Sequence, residues 1–374
     1  MKLCILLLFV FIVFIFIAFC IYCLYIYCFL YLLLFVFIAF ILKPCYFFLK
    51  MLCFYNHNFF KKGNIMCRTL TYSITDKESG MEILAFLRSR GFSRHLLSSM
   101  KSDPGCIRLN EDRGFGHTLL KEGDILTILL REMDPPSLIS PVKMDLQILF
   151  EDQDLLVLNK PADMPVHPSA GNYENTLANG VSYYFASKGQ PFVYRCINRL
   201  DRDTSGVLVL AKNALSAAVL SQQMKARQIK RTYLAIVTGI TPEHGTIDAP
   251  IARENGSAIT RIVDFQNGEK AVTHYERLAV HAKRSLLALR LDTGRTHQIR
   301  VHMKYLGFPL PGDYLYNPDY RIIHRQPLHS YQLEFTHPVT GSPLLFTAPV
   351  PQDFASAFTK ELSRPMIQSP ASTG

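Results

Sequence analysis

Arg199, Asp201, Arg202 and Asp203 sit directly before the apolar run Val207–Leu210 in RCINRLDRDTSGVLVLAKN, residues 195–213. A carboxylate at the mouth of a buried strand can act as a nucleophile or as a general base, provided it is ionised. Burial opposes ionisation, so such a group needs a fixed cation beside it. A metal is a poor candidate for that cation. His297 and His302 are five residues apart, which suits neither one helix face nor one strand face, and His274 lies far off in sequence. Hydrogen bonding or contact with a nucleic acid accounts for these histidines more simply.

The elements that must position these charges follow from composition. The chain has 374 residues and a formal net charge of +10. Its first 66 residues contain five lysines and no acid, so the remainder is only mildly basic, which is compatible with a nucleic-acid partner. Residues 3–42 carry no charge and are long enough for one or two membrane spans. A signal peptide fits less well, because its apolar core is shorter and ends in small residues. The same composition, rich in residues with T-rich codons and free of glycine before position 63, also fits a translated leader upstream of a start near Met66. Six of the nine cysteines lie in this head, and Cys67, Cys106 and Cys196 form no metal-binding pair, so they read as reduced thiols.

The chain divides into an apolar head (1–65), a small α/β module (66–132), a linker (133–143), a large domain (144–360) and a tail (361–374) expected to be disordered. In the module, Thr75 or Asp76 is a plausible cap for a helix whose apolar stripe comprises Met81, Leu84, Ala85 and the stem of Arg88. Gly91 ends that helix and Ser93 starts another. CIRLN and DILTILL read as strands. EMDPPSLISPVK, with three prolines, reads as the linker. The large domain is mostly strands, clearest in LQILFED, LLVLNK, GVLVLAK, TYLAIVTG, SLLALRLDTG and YQLEFTHP, with one clear helix capped by Asn213.

DRDTS fits the D-x-D-x-T pattern of aspartyl-phosphate phosphatases, but there the apolar strand precedes the first Asp. Here it follows, and RCINRL is too short and too charged for a buried parallel strand. The segment instead resembles the H-R-L-D-x-x-T-S-G signature of RluA-type RNA pseudouridine synthases. The likeness extends over residues 144–358 through LFEDQDLLVLNKPADMPVHPS, KRTYLAIVTG, LDTGRTHQIRVHMKYLGFPLPGDYLY and LHSYQLEFTHPVTGSPLLFTAPVPQDF, in the right order. Asn198 replaces the more frequent His, and Asp163 stands where Gly is common. The module is similar to a small RNA-binding module of a small-subunit ribosomal protein, with Arg88, Arg90, Arg94, His95 and Lys101 as its basic face.

The resemblance implies an α+β fold with a central, mostly antiparallel sheet crossed by a cleft, plus the small module. It implies an isomerase that converts uridine to pseudouridine in structured RNA, ribosomal RNA first and transfer RNA second, with no metal or organic cofactor. The alternative is an inactive RNA-binding or ribosome-assembly protein of the same fold. Asp201 is the implied catalyst, by attack on the sugar or by removal of a sugar proton. Arg300 is its implied partner, able to hold it through two parallel hydrogen bonds. Tyr233 is the implied aromatic platform and Ile299 packs against the base. Arg199, two residues from Asp201 and on the same side of an extended segment, fills the gap left by the everted nucleotide. Lys160, Arg231, Arg295, Lys304 and Arg321 are candidate phosphate contacts. A cytoplasmic monomer is expected, attached to a membrane only if the head is a genuine anchor.

Overall fold

The computed structural model describes residues 66–132, 139–169 and 171–358, and these described residues belong to one compact unit. The head, most of the linker and the tail lie outside the described residues. Among those described, no helix is long and apolar enough to cross a membrane. The candidate spans within residues 3–42 fall outside them.

The module comprises β1 (Met66–Ser73), a 3₁₀ turn (Asp76–Glu78), α1 (Ile83–Ser89), α2 (Arg94–Lys101), β2 (Ile107–Leu109), β3 (Asp112–Arg113) and β4 (Ile125–Glu132). Its strands form an antiparallel sheet in the order β1-β4-β2-β3. Ser93 caps α2 by accepting the Leu96 amide at 3.2 Å. The expected first helix is corrected in two respects. Thr75 caps only the 3₁₀ turn, in a capping box with Glu78. The helix then starts at Ile83, and Ile83, Phe86 and Leu87 are its buried residues, while Arg88 is exposed. Both stripes have helical spacing, so periodicity alone did not select between them; packing on the sheet favours the stripe with Phe86.

The large domain continues with β5 (Gln147–Glu151), β6 (Leu155–Lys160), α3 (Leu177–Ser187), β7 (Ser205–Ala211), α4 (Ala214–Lys225), β8 (Lys230–Thr238) and β9 (His244–Asp248). It is completed by β10 (Ile251–Arg253), β11 (Arg261–Val263), β12 (Val272–His281), β13 (Arg284–Leu291), α5 (Gln298–Tyr305), β14 (Leu328–Thr336), β15 (Pro343–Thr347) and α6 (Gln352–Ala357). Nine strands form one sheet in the order β5-β6-β7-β14-β8-β13-β12-β9, with β15 also paired to β14. Every pairing is antiparallel except β7 with β14. β10 and β11 form a separate hairpin.

The central strands are apolar on both faces because both faces are covered. Along β8, Tyr233, Ala235 and Val237 enter one core with Val181 of α3 and Met303 of α5, while Leu234 and Ile236 enter another with Phe354 of α6. In β7, Leu208 and Leu210 join the first core, whereas Val207 and Val209 pack with Leu220 of α4. This period-two division makes the strands read as unbroken hydrophobic runs.

The module docks on α4. Leu215 belongs to the module's core and Val219 packs against it. Arg68 donates through Nε and Nη2 to the two Asp154 oxygens at 3.0 and 2.9 Å. Asp154 also accepts from Asn213 Nδ2 at 2.7 Å, and Asn213 caps α4 at the Ser216 amide. The N-cap of α4 is thus tied to the first strand of the module.

Gly206 lies where β7 runs parallel to β14, with φ of +112°. A Cβ there would stand 2.2 Å from the Ser330 carbonyl oxygen, which belongs to a paired strand and cannot retreat. Gly206→Ala is therefore expected to lower stability by at least about 2 kcal/mol. A urea midpoint that falls at unchanged m-value checks this; an unshifted midpoint would contradict the close approach.

Candidate active site

Asp201 sits on the loop that enters β7, on the face that carries Tyr233 and α5. That loop is held from several sides. Asn198, buried beneath it, donates to the Val207 carbonyl at 3.1 Å and accepts the Val209 amide at 2.9 Å. The change from the more usual His thus supplies a clip onto the edge of β7. Lys160 Nζ and the Met164 amide both donate to the Arg202 carbonyl, at 2.9 and 3.2 Å. Arg325 Nη1 donates to the Asp203 carbonyl at 2.9 Å, and Gln326 donates to Thr204 Oγ1 at 3.1 Å. Arg202 pairs with Asp163, whose φ of +57° explains why Gly also suits that position.

One cleft of about 60 Å³ is lined by Arg199, Asp201, Tyr233, Arg295, Ile299 and Arg300, together with Thr204, His297 and apolar neighbours. Arg300 is 1% exposed, and its Nη1 donates to Asp201 Oδ2 at 2.8 Å. The expected two-point grip on Asp201 is corrected here. The guanidinium fork engages Asp313 instead, Nε to Oδ2 and Nη2 to Oδ1, both at 2.7 Å. One hydrogen bond remains for Asp201, whose side chain is 28% exposed to the cleft. Burial works against the charge on Arg300, but its hydrogen bonds to Asp313 and the charges of Asp201 and Asp313 outweigh it and raise its pKa. The rings of Tyr316 and Tyr314 lie 5.0 and 5.5 Å from the guanidinium carbon. Asp313 was missed at the level of sequence. Its signal was the Pro-Gly-Asp turn thirteen residues after Arg300, inside a stretch already singled out.

Tyr233 is buried on β8, and desolvation raises its hydroxyl above the usual range, with Arg231 opposing. It therefore offers the cleft a neutral ring. Ile299, on the first turn of α5, is 3% exposed. Arg199 is exposed and shares the cleft with Asp201. His297 precedes α5 with left-handed φ and ψ of 59° and 18°. Its Nδ1 meets Tyr316 Oη at 2.9 Å, and its Nε2 lies 3.9 Å from Asp201 Oδ2.

The cationic candidates separate. Lys160 is 0% exposed, and its ammonium donates to the carbonyls of Pro161, Met164 and Arg202 at 2.7, 2.8 and 2.9 Å. Three backbone acceptors consume its three hydrogens, so the expectation of a phosphate contact is corrected: Lys160 holds the loop. Desolvation lowers its pKa to about 7, against the opposing charges of Asp203 and Asp201. Arg231 donates to the Thr293 carbonyl at 3.2 Å. Arg295 reaches the cleft while bonding the Lys270 carbonyl at 3.1 Å and pairing with Glu269. Lys304 is exposed, and Arg321 pairs with Asp319. Arg94 is exposed on α2 of the module, and is absent from the lining of the cleft. His302 is buried between Thr273 Oγ1 and the Ala249 carbonyl, at 2.9 and 2.8 Å. His274 meets Thr246 Oγ1 at 2.8 Å and Asp292.

A carboxylate open to a cleft beside an aromatic ring, on a loop that precedes its buried strand rather than following it, departs from the phosphatase arrangement. Residues 154–305 match the family described as RNA pseudouridylate synthase. A relative in Bacillus subtilis (strain 168), described as uncharacterized RNA pseudouridine synthase YhcT, is 38% identical, over 76% of this chain and 95% of its own. The ribosomal large subunit pseudouridine synthase D of Zymomonas mobilis is 43% identical, over 74% of this chain and 91% of its own. A solved structure, human RNA pseudouridylate synthase domain containing 1, is 27% identical, covering 63% of this chain and 94% of its own with a TM-score of 0.49. The class is that of RNA-modifying isomerases. The chain belongs to the RNA pseudouridine synthase family.

Removing Asp313 leaves a buried guanidinium short of its bidentate partner. Asp313→Ala is expected to cost about 3–5 kcal/mol. Asp201→Asn is expected to cost less, because Asp201 keeps water on one side and leaves the Asp313 fork intact. Chemical denaturation of both variants checks the order; equal losses would contradict it.

Proposed function

We propose that the chain isomerises uridine to pseudouridine in ribosomal RNA, with Asp201 as the catalytic carboxylate. The observation that carries this reading is the Arg300–Asp201 hydrogen bond at the edge of a cleft that also holds Tyr233, Ile299 and Arg199. Asp201 acts at the sugar, either by attacking the anomeric carbon or by removing a sugar proton, while the glycosidic bond to uracil nitrogen breaks. The base then turns and rejoins the sugar through C5, which gives up its hydrogen as a proton while the released ring nitrogen takes one up, with no net redox change. Tyr233 supplies a face for the everted uracil; base–aromatic stacking contributes about 1–3 kcal/mol, against the few kcal/mol lost on leaving a helix. Ile299 packs on the base and Arg199 enters the vacated position. Arg231 and Arg295 contact phosphates at the rim.

Residues 66–132 serve as an RNA-binding module of the kind found in a small-subunit ribosomal protein, presenting Arg94 and its basic neighbours, and residues 144–360 are the catalytic domain. Ribosomal RNA is favoured over transfer RNA by that module and by relatives described as ribosomal large subunit pseudouridine synthases.

Asp201→Asn is expected to abolish pseudouridine formation while the protein stays folded. Uridine mapping across total RNA from cells lacking the protein, complemented with either form, provides the measurement. Restoration of the missing modification by the Asn variant would remove Asp201 from its role, and a loss confined to transfer RNA would reassign the substrate.

A further inference from the structure

His297 occupies a position that its environment determines closely. It stands at the N-terminus of α5 in a left-handed conformation, which costs a bulky residue about 1–2 kcal/mol and persists only where surroundings fix it. Its side chain is 11% exposed and lines the cleft. Its two ring nitrogens face different partners. Tyr316 Oη lies 2.9 Å from Nδ1, and Tyr316 Oη also accepts the Arg261 amide at 2.9 Å. With that amide hydrogen already received, the phenolic hydrogen is free to point at Nδ1. A phenolic hydrogen directed at Nδ1 makes Nδ1 the acceptor and leaves the ring hydrogen for Nε2, the nitrogen that faces Asp201 Oδ2 at 3.9 Å. Desolvation lowers the His297 pKa, with Asp201 opposing and Arg300 assisting, which favours the uncharged ring.

We propose that His297 is a positioning residue: its ring, held by Tyr316 in the tautomer with hydrogen on Nε2, presents a second donor to Asp201 alongside Arg300. This rests on the reading of Asp201 as the catalyst. Arg300 Nη1 fixes Oδ2 from the buried side at 2.8 Å. His297 Nε2 faces the same oxygen from the cleft wall at 3.9 Å, a separation that must shorten for the hydrogen bond to form. The pair thereby restricts the carboxylate to orientations in which Oδ1 is the oxygen left for the ribose. The chain of contacts runs from the β11 amide of Arg261 through the Tyr316 hydroxyl to the His297 ring. The hairpin β10–β11 thus helps to select the proton position on the ring beside Asp201. In the reverse tautomer, a lone pair on Nε2 would face a carboxylate, and the two would repel.

Three substitutions separate this role from a structural one. Asn tolerates the left-handed backbone and can place its amide oxygen near the position of Nδ1, but it offers no donor where Nε2 stood. Gln extends its amide to the Nε2 position. His297→Asn is expected to keep the wild-type melting temperature within a few degrees and to lower the single-turnover rate at least about tenfold, with little change in RNA affinity. His297→Gln is expected to recover part of that rate. Tyr316→Phe, which frees the tautomer, is expected to slow the same step, and the Tyr316→Phe/His297→Asn double variant is expected to be no slower than His297→Asn alone. Single-turnover conversion of uridine in an RNA substrate, with filter binding alongside, supplies these readouts. A His297→Asn variant at the wild-type rate, or rate losses that multiply in the double variant, would overturn the proposal. Asp201→Asn in the same assay keeps the two readings apart: its activity would remove the premise, whereas an inactive Asp201→Asn with a fully active His297→Asn removes only the role of His297.

Discussion

A buried guanidinium must find partners for its charge and its hydrogens, and the candidate site is organised around that requirement. Arg300 is enclosed by protein, so a single exposed carboxylate would leave it poorly compensated. Asp313 meets the need with a two-point bond inside the core, leaving one hydrogen of the Nη1 side for Asp201 at the cleft. The asymmetry separates two functions. The inner pair anchors the cation, and the outer bond orients a carboxylate that keeps access to solvent in the cleft. An Asp201 held by both arms of the fork would be better paired and less available.

The loop that carries Asp201 is irregular, and its rigidity comes from side chains that reach into it. Asn198 fastens its start to β7, Lys160 and Arg325 hold successive backbone carbonyls, and Gln326 holds Thr204. Lys160 matters most in this set because its ammonium is fully buried and reaches carbonyls from two segments, at Met164 and at Arg202. Irregular backbone inside a protein must have its polar groups satisfied. Here those satisfying groups also fix the direction of the carboxylate. The charges crowded before the apolar run therefore have separate duties. Arg199 faces the cleft, Asp201 meets Arg300, Arg202 pairs with Asp163, and Asp203 offers its carbonyl to Arg325.

The sheet provides the base for this arrangement. The single parallel pairing, β7 with β14, brings the loop before β7 against the segment before β14, which carries Arg325 and Gln326. Gly206 permits that approach because it has no side chain to collide with Ser330. The helix α5 then delivers His297, Ile299 and Arg300 from one short stretch into the cleft. The residue before the helix, His297, and two residues of its first turn, Ile299 and Arg300, thus line the cleft together.

Much of this was present in the sequence. Strand runs such as Val207–Leu210 show burial directly, because each residue enters a core on one face or the other. Caps at Ser93 and Asn213 mark the starts of α2 and α4 because an oxygen near a helix N-terminus meets free amides. Ordered motifs named Asp201, Tyr233, Arg199, Ile299 and Arg300, which one cleft brings together. What only the tertiary structure decided were the choices between equivalent local options. Two stripes on α1 had the same period, and contact with the sheet selected one. Lys160 had the charge of a phosphate ligand, and enclosure among three carbonyls turned it inward. Arg300 had the chemistry to grip a carboxylate at two points, and the approach of the Asp313 turn decided which carboxylate that was. Residue type limits what a side chain can do, but its partners come from distant parts of the chain, and only folding sets those distances.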